Sequence, residues 1–429
     1  MRSWWTAVAL LVAVRLAIPL AAYADRGSKL PGIPTFVRPA ADGGLQGDAT
    51  GFYEGAREFM AAWARMPRPV FALDVLFVLA AGAAIVLQWR RQPARRPWLA
   101  PAALLVVGLA ICADIHWMHA TGAAVIGWPL VWSLPMLPFR AVGKLTPHVA
   151  WDVGTALSLV FVSLTVVAVA YLGRNATGRR GLGLLAAAFY AVWPLLVGLI
   201  AGHHAWANDQ WNVEVGLHNY DEPLSTLLVT VAAALLLAPR LTPMRLALAG
   251  CTLSFATSVK VSNAIAAGVV LVIVALRCRR RALPYLVGAL SFAPVVLAYW
   301  PISYPKLYGN AKSWPHDAFD VSHVVSSWTH SSIFTPHTLA IVVPLAVVGA
   351  LGVRRPWQLA LVLAFLLVNP VFYSFFANTA EHPRFLYASL PELFVLWAAG
   401  LGVLLAQVLV RLHVEPHREE RELRPGDQQ

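Results

Sequence analysis

The chain has 429 residues, of which 59% are hydrophobic and 13% charged, with a formal net charge of +12. The charged share is about half that of a water-soluble domain, and a mean hydropathy of +0.63 excludes the string of soluble domains that the length alone would suggest. Lys and Arg stand in short clusters between apolar runs, not in a stripe with interleaved aromatics, so no nucleic acid is expected as a partner. Cys112, Cys251 and Cys278 have no paired spacing, which indicates neither a disulfide framework nor a cysteine metal site.

Apolar runs near the ~20 residues that cross a hydrocarbon core recur from end to end. Basic clusters between alternate runs mark the cytoplasmic side. The first span falls at 4–24 and is expected to be retained, because Arg15 and Pro19 interrupt a signal-peptide pattern and no small-residue cleavage site follows. A polar loop runs from Asp25 to Pro69, with a helix-compatible segment at 46–59. Spans at 70–88 and 99–115 are separated by Arg90, Arg91, Arg95 and Arg96. Residues 116–148 are rich in Trp and Pro, and their apolar stretch at 125–137 is read as lying at the outer interface or partly re-entrant. If it spanned, Arg174, Arg179 and Arg180 would fall outside. Trp117, Trp128 and Trp132 suit an interfacial belt.

Further spans are expected at 149–172, 182–201 and 221–237. The run 245–276 is too long for one helix and is interrupted at 257–263, so two short helices should meet near the outer face at Lys260. Beyond the arginine turn at 277–281, spans at 283–301, 338–353, 356–377 and 385–411 complete the pattern. The fold class is therefore all-α, a polytopic transmembrane helical bundle of about twelve spans whose outer-face loops carry the site. Residues 1–411 are read as one transmembrane catalytic domain of the cell membrane, and 412–429 as a disordered cytoplasmic tail.

Acids, histidines and exposed aromatics collect in the outer loops, whereas the cytoplasmic turns are short and hold no phosphate-cradling glycine loop. Chemistry is thus expected on the extracytoplasmic face. Asp48 sits near a helix N-terminus, where the dipole favours an ionised carboxylate; it is an N-cap, a general base, or both. Asp209 and His218, with His203, His204 and Glu214, offer N and O ligands for a divalent ion, or bond among themselves and to headgroups. Asp221 and Glu222 open an apolar helix; capping by Asp221, with Pro223 in the first turn, accounts for one acid and leaves the other. Lys260, a cation between two apolar helices, needs a counter-ion, and a lipid phosphate is a natural one. Arg384 opens the last helix from outside, against the charge bias, and is suited to bidentate phosphate recognition or to pairing with Glu381.

With these residues placed, the layout resembles the glycosyltransferase C superfamily of polyprenyl-phosphate-sugar-dependent membrane glycosyltransferases, which includes protein O-mannosyltransferases and aminoarabinose transferases. Asp48 to Tyr53 looks like that family's catalytic segment, and Gly127-Trp128-Pro129-Leu130 is similar to its Gly-aromatic-Pro-Leu element. Asp221-Glu222-Pro223-Leu224 resembles its acidic helix start, Ser258-Val259-Lys260 its Thr-Lys break, and Pro383-Arg384-Phe385-Leu386 its Arg-Tyr-Leu ending. Two extra spans, at 70–115, separate the Asp48 loop from the Trp128 element, and the first loop shows one acid where several relatives have Asp-Glu.

The resemblance implies a lipid-linked sugar held by its phosphate on Arg384 and Lys260, with Asp48 taking the acceptor hydroxyl proton in an inverting transfer to a lipid, glycan or protein. Glu222 or Asp221 would orient the acceptor. Tyr53, Asp209, His218 and Trp128 would line the acceptor or sugar side, and Asp209, Glu222 and His218 would be the ligands of any divalent metal. A secondary transporter or lipid flippase is the competing reading; it would place its polar groups near the bilayer midplane.

Overall fold

A backbone in lipid finds no water and must satisfy its N–H and C=O groups within the segment, which an apolar run does by folding as a helix. The computed structural model describes residues 2–25, 48–91, 97–119, 121–201, 219–308, 320–330, 336–376 and 386–422, and among them every regular element is helical. Among the described residues six stretches are long and apolar enough to cross a membrane: Ser3–Ala21, Leu99–His116, Pro147–Thr177, Asn263–Ser303, Pro356–Tyr373 and Tyr387–Leu409. A seventh arises if the bent pair Ala49–Arg65 and Arg68–Ala84 counts as one. The sequence reading of about twelve is larger for identifiable reasons. Arg180–Leu196, Glu222–Leu236 and Leu339–Gly352 are apolar but short, and the 41-residue stretch Asn263–Ser303 is broken at Arg279, where φ is 52°.

Helix α1 (Arg2–Asp25) packs on α6 (Pro147–Thr177) and α7 (Arg180–Ala201). Helix α2 (Asp48–Arg65) turns by 119° into α3 (Arg68–Arg91) at Met66 and Pro67, and α3 pairs with α4 (Leu99–His116). Phe52, Tyr53, Ala56, Phe59 and Met60 make the buried face of α2, at helical spacing. Two glycines bring that face close to the 121–129 segment: a Cβ at Gly51 would lie 2.9 Å from the Gly122 carbonyl, and one at Gly55 2.9 Å from the Ala123 methyl.

The stretch read as interfacial folds as α5 (Gly127–Ala141), with Pro135 and Pro138 inside it. Trp128 and Trp132 are not in an interfacial belt: both are fully buried in protein and stack on each other at 5.7 Å. Each indole N–H finds a carbonyl, Asn219 O for Trp128 and Ala150 O for Trp132, both at 3.0 Å. That satisfaction is what lets so large a ring with a donor sit in the core.

Helix α8 (Glu222–Leu236) leads to α9 (Pro243–Val259), which ends at Lys260, an extended residue, before α10 (Asn263–Cys278) begins. Then come α11 (Leu283–Leu290), α12 (Ala293–Tyr308), α13 (His323–His330), α14 (Pro336–Gly352), α15 (Pro356–Tyr373) and α16 (Leu390–Glu422), the last running past the expected domain end at Arg411. Helices α9 and α11 meet through Gly250 and Gly288, and α14 and α16 through Gly349 and Gly400, each against a facing backbone carbonyl. Small residues are the means of close helix packing where no water drives association.

Four of the arginine-bearing turns converge at one end of this bundle. Asn175 Nδ2 donates to Ala234 O at 2.9 Å, Gln358 Nε2 to Leu237 O at 2.9 Å, and the Arg354 amide to Ala176 O at 3.0 Å. The Arg277 guanidinium lies 5.9 Å from the Trp357 ring. At the far end of the same helices stand Glu222, Lys260 and Tyr373, about 22 Å away by the rise of the 15-residue α8.

Candidate functional site

Two structures occupy the end opposite the arginine turns. The first is a buried polar knot where α8, α9, α10 and α15 meet. Lys260 Nζ donates to Glu222 Oε1 at 3.0 Å, with the two side chains 8% and 1% exposed. The ammonium also lies 5.7 Å from the Tyr373 ring, and Tyr373 Oη bonds Ser262 Oγ at 3.4 Å. Asn263 Nδ2 bonds both Ser225 Oγ and Ala256 O at 2.9 Å, which closes the helix break on α8. Asp221 is buried beside Glu222 and opens α8 without a side-chain cap bond. The glycine of the Gly127-Trp128 element is required here: a Cβ would fall 2.6 Å from Ser258 Oγ, so the start of α5 rests directly on the end of α9.

The second is a cavity of about 680 Å³ lined by Tyr53, Glu54, Arg57, Glu58, Thr121 and Arg140, among others. Its wall is the polar stripe of α2. The Arg57 guanidinium lies 5.7 Å from the Tyr53 ring. Glu58 is held by Arg65 and by the His119 amide, 2.7 Å away, while Arg65 also donates to Trp117 O at 2.7 Å. These bonds fasten α2 to the loop beyond α4.

A line of contacts joins cavity and knot. Tyr53 packs on Trp132 at 6.0 Å, Trp132 on Trp128, and Trp128 bonds the Asn219 carbonyl two residues before Asp221. Asn219 is itself clamped, donating to Trp151 O at 3.3 Å and accepting from Thr155 Oγ1 at 3.5 Å. Of the residues singled out from sequence, Tyr53, Trp128, Asp221, Glu222 and Lys260 therefore belong to one connected region. Trp128 stands behind the cavity, since it is fully buried and not among the residues that line it. Asp48 is the first residue of α2, five positions before Tyr53, and the placement of its carboxylate lies outside what the structure describes. Arg384, Asp209 and His218, with His203, His204, Glu214 and Glu381, also lie outside the described residues. Among the described residues no three His, Cys, Asp or Glu side chains gather as a metal site, and Glu222 is engaged by Lys260.

Some members of this region escaped the sequence reading. Glu54, Arg57, Glu58 and Ala61 recur at three- and four-residue steps, a helical stripe that would have marked the cavity wall. Arg140 carried no such signal, because its place depends on how α5 folds back. A second buried network holds the chain just after Arg384: Arg15 of α1, fully buried, donates to Tyr387 Oη at 3.0 Å, and Tyr190 Oη is 2.8 Å from the same oxygen.

The architecture defines an all-helical protein with several helices able to span a membrane. No family model matches the chain, and no curated protein matches it.

Proposed function

We propose that the chain is a multi-pass glycosyltransferase of the cell membrane that moves a sugar from a polyprenyl-phosphate donor to an acceptor hydroxyl on the extracytoplasmic face. In this reading about twelve spans cross the bilayer, the arginine turns are cytoplasmic, and α2 lies along the outer surface. The observation that carries it is the position of α2: the helix opened by Asp48 forms the wall of a polar cavity at the end of the bundle opposite the arginine turns. A lipid-linked donor suits such a place, since its sugar sits in the cavity while its chain stays among the helices.

Asp48 accepts the acceptor O–H proton as that oxygen bonds to the anomeric carbon. The bond from that carbon to the phosphate oxygen breaks, the electron pair leaves with the phosphate, and the configuration inverts. A positioned carboxylate contributes about 10²–10⁴ in rate to such a step. Arg384 is assigned the departing phosphate, whose developing charge it stabilises. Lys260 is tied to Glu222 and keeps the helix break and the start of α8 in register. Asp221, Asp209 and His218 are assigned to the acceptor side, and with Glu222 held by Lys260 a divalent metal would look to Asp209 and His218.

The test is transfer of labelled sugar from a polyprenyl phosphate by the purified full chain. Asp48→Asn should cut the rate by about 10²-fold or more with the thermal midpoint in detergent unchanged; wild-type turnover in that variant removes Asp48 from the mechanism. Transport has one observation in its favour: Glu392, in α16, has both carboxylate oxygens buried with no hydrogen-bond partner among the described residues. An intramembrane acid of this kind marks ion pathways in transporters. Substrate uptake by vesicles holding the protein, without any sugar transfer, would select that reading.

A further inference from the structure

A second crevice, of about 610 Å³, lies at the arginine end between the α6–α7 turn, the end of α14 and the middle of α16. Its floor is apolar, with Leu182 and Gly402 among its residues, and its rim carries Thr177, Arg179 and Gln407. Arg179 is the only charged residue among those that line it, and it is exposed. The turn beside it is tightly made. Gly178 has φ 75°, Thr177 Oγ1 accepts the Arg179 amide at 3.3 Å, and the Arg354 side chain lies alongside, where a Cβ on Gly178 would be in ordinary contact with it. The Arg179 guanidinium thus stands on the rim of an apolar slot, and the Arg354 side chain lies against the Gly178 backbone next to it.

We propose that this crevice binds one anionic phospholipid, its phosphate at Arg179 and Arg354 and an acyl chain along Leu182 and Gly402. The charge pattern selects the occupant. A zwitterionic lipid brings a cation of its own to a rim that already carries Arg179, with Arg354 beside the same turn, and a soluble anion leaves the apolar floor in water. Basic pockets between helices on the cytoplasmic side suit anionic headgroups, each nearby arginine being worth about fivefold in binding. The slot lies at the end opposite the α2 cavity, so its occupancy does not depend on whether sugar is transferred.

The experiment is native mass spectrometry of the delipidated full chain in detergent, titrated with phosphatidylglycerol, with phosphatidylcholine of the same acyl chains, and with inorganic phosphate. One phosphatidylglycerol should be retained in preference to phosphatidylcholine, with no phosphate bound. Arg179→Gln should reduce that preference about fivefold. Ala406→Trp, at an exposed position that lines the slot, should abolish it by filling the space. Equal retention of the two lipids, binding of inorganic phosphate alone, or a preference untouched by both variants overturns the proposal.

Discussion

Glu222 and Lys260 show how far a single residue could be read from its neighbours in the chain. Both stood out as ions at the ends of apolar helices, which is a local signal. That they are 38 positions apart and bonded to each other is not local, and a lipid phosphate was the counter-ion expected for a lysine that α8 supplies with a carboxylate instead. Removing one partner of a buried pair strands the other charge, at a cost of about 3–5 kcal/mol, whereas replacing both by apolar groups of similar volume costs far less. Glu222→Gln should therefore lower the thermal midpoint in detergent sharply, and Glu222→Leu combined with Lys260→Met should recover most of the loss. A double variant no more stable than Glu222→Gln would show that the pair contributes little through its charge. Asn219 is the converse case: an amide next to a tyrosine carries no charge to notice, and its importance comes from the indole, backbone and hydroxyl groups that two other helices, α5 and α6, bring to it.

Whole helices were more legible than their partners. The break at Lys260, the arginine turns and the limits of the apolar runs follow from hydropathy and charge, which act over a few turns. Where a helix lies is a matter of packing, and α5 is the instructive case. Its prolines and tryptophans suggest a segment at the outer interface or partly re-entrant, with its rings in an interfacial belt, yet Trp128 and Trp132 are buried because carbonyls of Asn219 and Ala150 accept their N–H groups. A close contact that fixes its first turn is Gly127 on Ser258. Gly127→Ala should displace the start of α5 by a fraction of an ångström to an ångström, enough to lower transfer about 10–100-fold by misplacing the reacting groups. Gly82→Ala, at a position where a Cβ meets nothing within 4 Å, should leave the rate unchanged. A Gly127→Ala protein with full turnover would mean that α5 does not position the site.

For the molecule as a whole, the gathering of arginine turns at one end converts a compositional rule into a geometric one with two sides. In a protein whose native cysteines are replaced, Lys144→Cys should react with an impermeant maleimide on intact cells, and Arg354→Cys only after permeabilisation. Labelling of both from the same side would dismantle the arrangement of cavity and basic end. The bend at Met66 and Pro67 then has a mechanical meaning. Along α3, Leu73, Leu76, Phe77 and Leu79 stand exposed, and in the bilayer setting proposed above that arm of the elbow meets the acyl chains. The other arm, at 119° to it, walls the polar chamber. A helix tilts to match its apolar length to a thicker or thinner bilayer, and with α2 and α3 joined by only Met66 and Pro67, a tilt of α3 in the proposed bilayer would be felt at the wall of the chamber.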